Sequence, residues 1–152
     1  MNYFDGIIHN EILLSAVAGW FVAQILKTLL HVVVTKSFDP ERLVGTGGMP
    51  SSHSATVCGL ATAVAINYGT SSVEFALAFA FAIIVMYDAL GVRRETGKQA
   101  KVLNEMMSLF NNMGTKMSTE DRLKEFVGHT PLQVLVGAFI GFGLAIAVCN
   151  LM

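Results

Sequence analysis

Four apolar runs set the limits on what this chain can fold into. The first extends from about Ile12 to Val34 and is long enough to span a bilayer as a helix. The others run from about Ser52 to Tyr68, Val73 to Val92 and Pro131 to Cys149. The second and fourth are of marginal length, but they are rich in Gly, Ala and Ser, which suits close helix–helix contact in a membrane. Composition agrees. The 152 residues are 53% hydrophobic and only 14% charged, where a soluble domain is about a quarter charged. The expected fold is therefore all-α: an integral membrane bundle of about four spanning helices, in one domain covering residues 1–152.

The stretch between the third and fourth runs has a different pattern. From Arg94 to Met113, Val102, Leu103, Met106, Leu109, Phe110 and Met113 recur at three-to-four spacing, with Arg94, Lys98, Lys101 and Glu105 on another face. This reads as an amphipathic helix. Ser118-Thr119-Glu120-Asp121 resembles a capping start for a second short helix to about Val127. Both helices are expected at the membrane surface or packed over the bundle.

The charges imply an orientation. One basic residue, Lys27, lies within the first run. All the others, from Lys36 and Arg42 to Arg93 and on to Lys124, fall in the loops after spans one and three. By the positive-inside rule those loops are cytoplasmic and both termini face outward in a multi-pass cell-membrane protein. Net charge is −1, which gives no footprint for nucleic acid. Cys58 and Cys149 lie in apolar runs and read as buried free thiols. The opening Met-Asn-Tyr-Phe-Asp lacks a basic n-region, so a cleaved signal peptide is not expected.

Chemistry concentrates at two helix starts. Gly-Gly-Met-Pro-Ser-Ser-His-Ser (47–54) places a glycine-rich turn, three hydroxyls and His53 at the start of the second run. Such a turn presents backbone N–H groups and positive dipole to an anion. It is not a P-loop, because the Gly-Lys-Ser/Thr ending is missing. Alone, a histidine at a helix start is commonly satisfied by backbone, but its neighbours here shift the balance. Gly-His-Thr-Pro (128–131) opens the fourth run. Thr130, Pro131 and Gln133 make a capping box with proline at the first helical position. That leaves His129 without a structural explanation. The topology puts both histidines on one face, where they can divide the roles of nucleophile and general acid.

Several charged residues read two ways. Arg93 and Arg94 are snorkelling anchors or a guanidinium clamp on phosphate oxygens. Lys27, within an apolar run where a central charge costs about 2.5–3.5 kcal/mol, is a functional candidate or a partner in charge compensation with Asp88. His31 lies one turn from Lys27 and is a weaker candidate, and His9 reads as structural. A metal site from His53, His129 and Asp88 has no supporting ligand spacing.

Together these segments resemble the divergent branch of the type 2 phosphatidic acid phosphatase superfamily, also described as acid phosphatase/vanadium-dependent haloperoxidase-related. The resemblance covers nearly the whole chain. It is carried by Ala23-Gln24 with Lys27, by residues 47–55, by Tyr-Asp-Ala-Leu-Gly-Val-Arg-Arg (87–94) with Gly97-Lys98-Gln99-Ala100 and Leu103-Asn104, and by residues 128–131 with Val134 and Gly137. The superfamily's motifs are Lys-x6-Arg-Pro, Pro-Ser-Gly-His and Ser-Arg-x5-His-x3-Asp. Pro50-Ser51-Ser52-His53 matches the second, with serine in place of glycine. Lys27 starts the first, but Val34 stands where its arginine would be. His129 matches the third, with Leu123 at the arginine position and Gln133 at that of the aspartate.

The resemblance implies hydrolysis of a lipid phosphate or pyrophosphate, with no metal or cofactor. His129 would be the nucleophile and His53 the general acid. Lys27, Gly48, Ser51, Ser52, Arg93, Arg94 and Lys98 would hold phosphate, and Asp88 is the candidate replacement for the missing carboxylate. The alternative is a non-catalytic protein that binds or transports a phospholipid headgroup in the same pocket. Four spans are fewer than the six usual among membrane members, which leaves room for a homodimer. The third class is a purely structural membrane subunit.

Overall fold

The computed structural model describes the backbone of residues 3–37, 48–112, 123 and 128–152, and their side chains except 3–4, 93–94 and 111–112. The described residues form helices and turns without a strand. The helices are α1 (Tyr3–Ile8), α2 (Glu11–Thr35), α3 (Ser52–Tyr68), α4 (Val73–Leu90), α5 (Val92–Asn112) and α6 (Pro131–Leu151). The short second helix expected near 118–127 lies outside the described residues.

Local chemistry sets most boundaries. Asn10 caps α2 by accepting the Leu13 N–H at 3.0 Å, and Ser72 caps α4 by accepting that of Phe75 at 3.1 Å. Thr130 and Gln133 close the capping box of α6, with Pro131 at its first position. Gly91 ends α4, its N–H bonded to the Tyr87 carbonyl at 2.8 Å, and α5 starts at the next residue.

Three stretches, in α2, in the run beginning at Val73 and in α6, are long and apolar enough to cross a membrane. The second apolar run does not reach that length. Its helix, α3, has 17 residues and packs against α2, α4 and α6. Small residues make this possible. A Cβ added at Gly141 would lie 2.2 Å from the Ala55 carbonyl oxygen, and one at Gly19 would lie 2.6 Å from the same atom. Helices α2 and α6 thus approach the α3 backbone at one point, as in tightly packed membrane helices.

The interior holds mostly Ala, Ser and Gly, with Val57, Val64 and Val134, whereas most large apolar side chains point outward. Ala23, Ala55, Ala63 and Ala145 are fully buried, while Val33, Leu77, Ile84 and Phe139 are each about two-thirds or more exposed. In water so much exposed apolar surface would drive association. In lipid it is the solvated face, and the protein is an all-α membrane bundle.

Helix α5 departs from this pattern. Gly97, Ala100 and Asn104 form its buried side, and Val102, Leu103, Met106, Leu109 and Phe110 stand exposed. Asn104 Nδ2 donates to the Leu123 carbonyl at 2.9 Å, and the Leu123 N–H donates to Asn104 Oδ1 at 3.1 Å. One buried amide therefore satisfies both backbone groups of Leu123. The two cysteines are free and half-buried rather than fully buried.

Candidate functional site

Four helix ends meet at one end of the bundle. Lys27 lies a little over two turns before the end of α2, and the start of α3 carries Ser51, Ser52 and His53. The end of α4 carries Asp88 and Ala89, and the start of α6 carries His129 and Gln133. Backbone bonds hold them together. The His129 N–H donates to the Ala89 carbonyl at 3.1 Å, linking α6 to α4, and the Ser51 N–H donates to the Gln133 carbonyl at 3.0 Å, linking α3 to α6.

The two imidazoles face each other. The His53 and His129 rings are 6.0 Å apart between centroids, with an interplanar angle of 61°. His129 is buried and His53 half-buried. The sequence placed them on one face, and the structure brings them into edge-to-face contact.

Gln133 orients His129. Its side-chain oxygen Oε1 accepts the Thr130 N–H at 3.0 Å and lies 3.3 Å from His129 Nδ1. The bond from the amide N–H identifies this atom as the carbonyl oxygen, an acceptor only. A neutral ring that donates from Nδ1 to this oxygen carries its lone pair on Nε2. The cap that starts α6 therefore also contacts the imidazole through Nδ1.

Lys27 is nearly inaccessible, at 3% exposure. Its Nζ donates to Gln24 Oε1 at 2.9 Å and to Ser52 Oγ at 3.4 Å. The i, i+3 spacing of Gln24 and Lys27 on α2 places the two side chains for this bond. Gly48 lies beside the lysine stem: a Cβ built there would be 3.4 Å from Lys27 Cγ. With φ at +88°, Gly48 also adopts a backbone conformation that favours glycine. The turn continues through a cis Met49–Pro50 bond to Ser51.

The remaining candidates have varied settings. Ser51 is completely buried, and its Oγ caps α3 by accepting the Ser54 N–H at 3.3 Å and the Ser54 hydroxyl at 3.0 Å. Asp88 is half-buried and immediately precedes Ala89. Lys98 stands on the exposed face of α5 in an ion pair with Glu95 and joins none of the contacts around His129. Arg93 and Arg94 open α5, and their side chains lie outside the described residues. His31 is half-buried on α2, and His9 Nδ1 is 2.8 Å from the Asp5 carbonyl oxygen, the structural role expected of it. Among the described residues no three His, Cys, Asp or Glu side chains gather as a metal ion requires.

Comparison with known proteins identifies the group. A family model described as the Divergent PAP2 family matches residues 8–144, which include every candidate above. The chain belongs to the Divergent PAP2 family. Within reach of that match is a relative from Bacillus subtilis (strain 168), named "Uncharacterized membrane protein YuiD". It is 38% identical over 149 residues, an alignment covering 92% of this chain and 94% of the relative. No solved structure matches at a significant level. As a Divergent PAP2 member the chain carries Gln133 in contact with its second histidine, so an uncharged amide orients that ring.

Proposed function

We propose that this membrane protein is a phosphatase-like enzyme that hydrolyses a lipid phosphate or pyrophosphate through a histidine nucleophile. The observation that carries the reading is the facing pair His53 and His129, with His129 Nδ1 held against Gln133. A nucleophile must come within about 3–3.5 Å of phosphorus. A general acid must come within about 2.6–3.2 Å of the leaving oxygen. Rings 6.0 Å apart can serve one phosphoryl group in this way.

His129 Nε2 attacks phosphorus in line, and the bond from phosphorus to the lipid oxygen breaks. His53 delivers the proton to that oxygen. Water then attacks the phosphohistidine, His53 takes a proton from it, and inorganic phosphate leaves with His129 restored. Lys27, the hydroxyl of Ser52, the N–H groups at the start of α3 and the guanidinium groups of Arg93 and Arg94 are assigned to the equatorial oxygens. Fixed positive charge there stabilises the transition state.

The test is phosphate release from phosphatidic acid and an isoprenyl pyrophosphate in mixed micelles. His129→Ala should lower turnover by at least about a thousandfold, as loss of a nucleophile does, and vanadate should inhibit the wild type. Equal release by wild type and variant would overturn the reading.

The amide at Gln133 favours a second reading, a headgroup-binding protein that keeps the anion pocket without turnover. Phosphatidic acid retained through purification by both wild type and His129→Ala, with no phosphate release by either, would decide for it.

A further inference from the structure

Gln24 and Lys27 form a buried polar pair within an apolar helix. They lie one turn apart on α2 and are 5% and 3% exposed. Lys27 Nζ donates to Gln24 Oε1 at 2.9 Å and to Ser52 Oγ at 3.4 Å. The first oxygen belongs to a carboxamide and the second to a hydroxyl, so neither of these acceptors cancels the ammonium charge.

A lysine is a compact charge on a flexible stem, and here three contacts confine it. The Gly48 backbone lies along the stem: a Cβ built there would be 3.4 Å from Lys27 Cγ and 3.6 Å from Cδ. Gln24 holds the tip from within α2, and Ser52 holds it from across the interface with α3. That end of α3 is itself tied to the second imidazole. The Ser51 N–H donates to the Gln133 carbonyl at 3.0 Å, and Gln133 Oε1 lies 3.3 Å from His129 Nδ1. The ammonium is therefore fixed relative to His129 as well as to His53, the neighbour of Ser52.

The choice of a carboxamide has a consequence for binding. Burying a charge in a spanning helix is costly, and a carboxylate at position 24 would be the stronger partner if compensation were the purpose. A carboxamide instead holds the ammonium by a hydrogen bond and leaves its field for an incoming anion. A charge already in place needs no reorganisation when that anion arrives.

We infer that Gln24 is a positioning residue of the anion site: it holds the Lys27 ammonium, with its charge uncancelled by Gln24 itself, beside Ser52, where it meets a phosphate oxygen next to His53 and His129. The inference rests on the lipid-phosphate reading above and adds the residue that aims the lysine. Gln24 acts through Lys27 and does not touch the phosphate.

The test is the affinity of the full-length protein in detergent for inorganic phosphate, measured by titration calorimetry, with thermal unfolding read on the same samples. Gln24→Met keeps the length of the side chain, removes the acceptor and should weaken binding about tenfold. Gln24→Glu keeps the acceptor and adds a negative charge. It should also weaken binding about tenfold, while the unfolding temperature holds or rises, because its pair with Lys27 is the stronger one. A Gln24 that only stabilises the fold predicts equal or tighter binding by Gln24→Glu, and that result would overturn the inference. In a Lys27→Met background, Gln24→Met should cost nothing further, because the two residues act as one unit. Additive losses would show that Gln24 acts independently of the lysine and would equally overturn it. If Gln24→Met does not fold, Gln24→Glu decides alone. Phosphate bound alike by wild type and both Gln24 variants removes the inference and leaves the lipid-phosphate reading standing. No binding by the wild type removes the anion site and the inference with it. Release from phosphatidic acid is measured separately: binding that depends on Gln24 without release keeps the inference and removes the catalytic reading.

Discussion

At the scale of single residues, the central observation is that Gln133 does two jobs with one oxygen. It completes the capping box of α6 and holds His129 Nδ1. A carboxylate would serve both and, under the proposed mechanism, would also stabilise the positive charge developing on the ring as Nε2 attacks phosphorus. In a serine protease the change from acid to amide in the comparable place costs about 10⁴ in turnover. The reverse change is therefore informative here. Gln133→Glu keeps the capping box, which accepts Glu or Gln, and adds a negative charge where the helix dipole favours it. It should raise turnover by about tenfold or more with unchanged thermal stability. Gln133→Leu removes both bonds and should lower turnover by about 10²-fold while costing about 1 kcal/mol of stability. Steady-state phosphate release beside thermal unfolding in detergent checks both. A Gln133→Leu variant with full activity would show that the imidazole needs no partner.

Among the secondary-structure elements, the parts legible in the sequence are those determined by nearby residues. The start of α6 follows from Thr130, Pro131 and Gln133, which lie within one turn, and the amphipathic pattern of α5 survives as an exposed apolar stripe. That His53 and His129 share one end followed from counting spans. Other features depend on which helices touch. The sequence marks Lys27 as unusual, but not that its ammonium reaches Gln24 and Ser52 or that Gly48 lies along its stem. The run at 52–68 looks like a fourth spanning helix by its apolarity, yet its glycines and alanines adapt it to being enclosed. Helix α1 has no signature in the sequence, because six residues are too few to show a period. The packing of α3 carries its own prediction. A methyl at Gly141 would sit 2.2 Å from the Ala55 carbonyl oxygen, so Gly141→Ala must push α6 away from α3. Overpacking of this kind costs about 1–3 kcal/mol. The expected result is a lower unfolding temperature in detergent, together with reduced phosphate release, because the Ser51–Gln133 bond lies on the same interface. Gly143 offers the control: a Cβ there meets nothing within 4 Å, and Gly143→Ala should leave both measurements unchanged.

For the whole molecule, the open question with functional weight is which side of the membrane the site faces. Helices α2 and α4 end, and α3 and α6 begin, at the same end of the bundle, so the orientation of one helix settles that of the site. In sequence, every basic residue apart from Lys27 falls between α2 and α3 or between α4 and α6, and the short connection between α3 and α4, residues 69–72, has none. Positive charge of this kind is retained in the cytoplasm. A site facing inward would draw its lipid phosphate from the cytoplasmic leaflet and release phosphate into the cell. Cysteine labelling tests this in a background where Cys58 and Cys149 are alanine. Ser71→Cys marks the α3–α4 connection, and Lys98→Cys marks the exposed face of α5. A membrane-impermeant maleimide should label Ser71→Cys in right-side-out vesicles and Lys98→Cys in inside-out vesicles. The opposite pattern would turn the site outward and make an externally presented lipid its substrate. Labelling of both positions from one side would mean that the bundle does not cross the bilayer between them, which removes the topological basis for a leaflet-specific site.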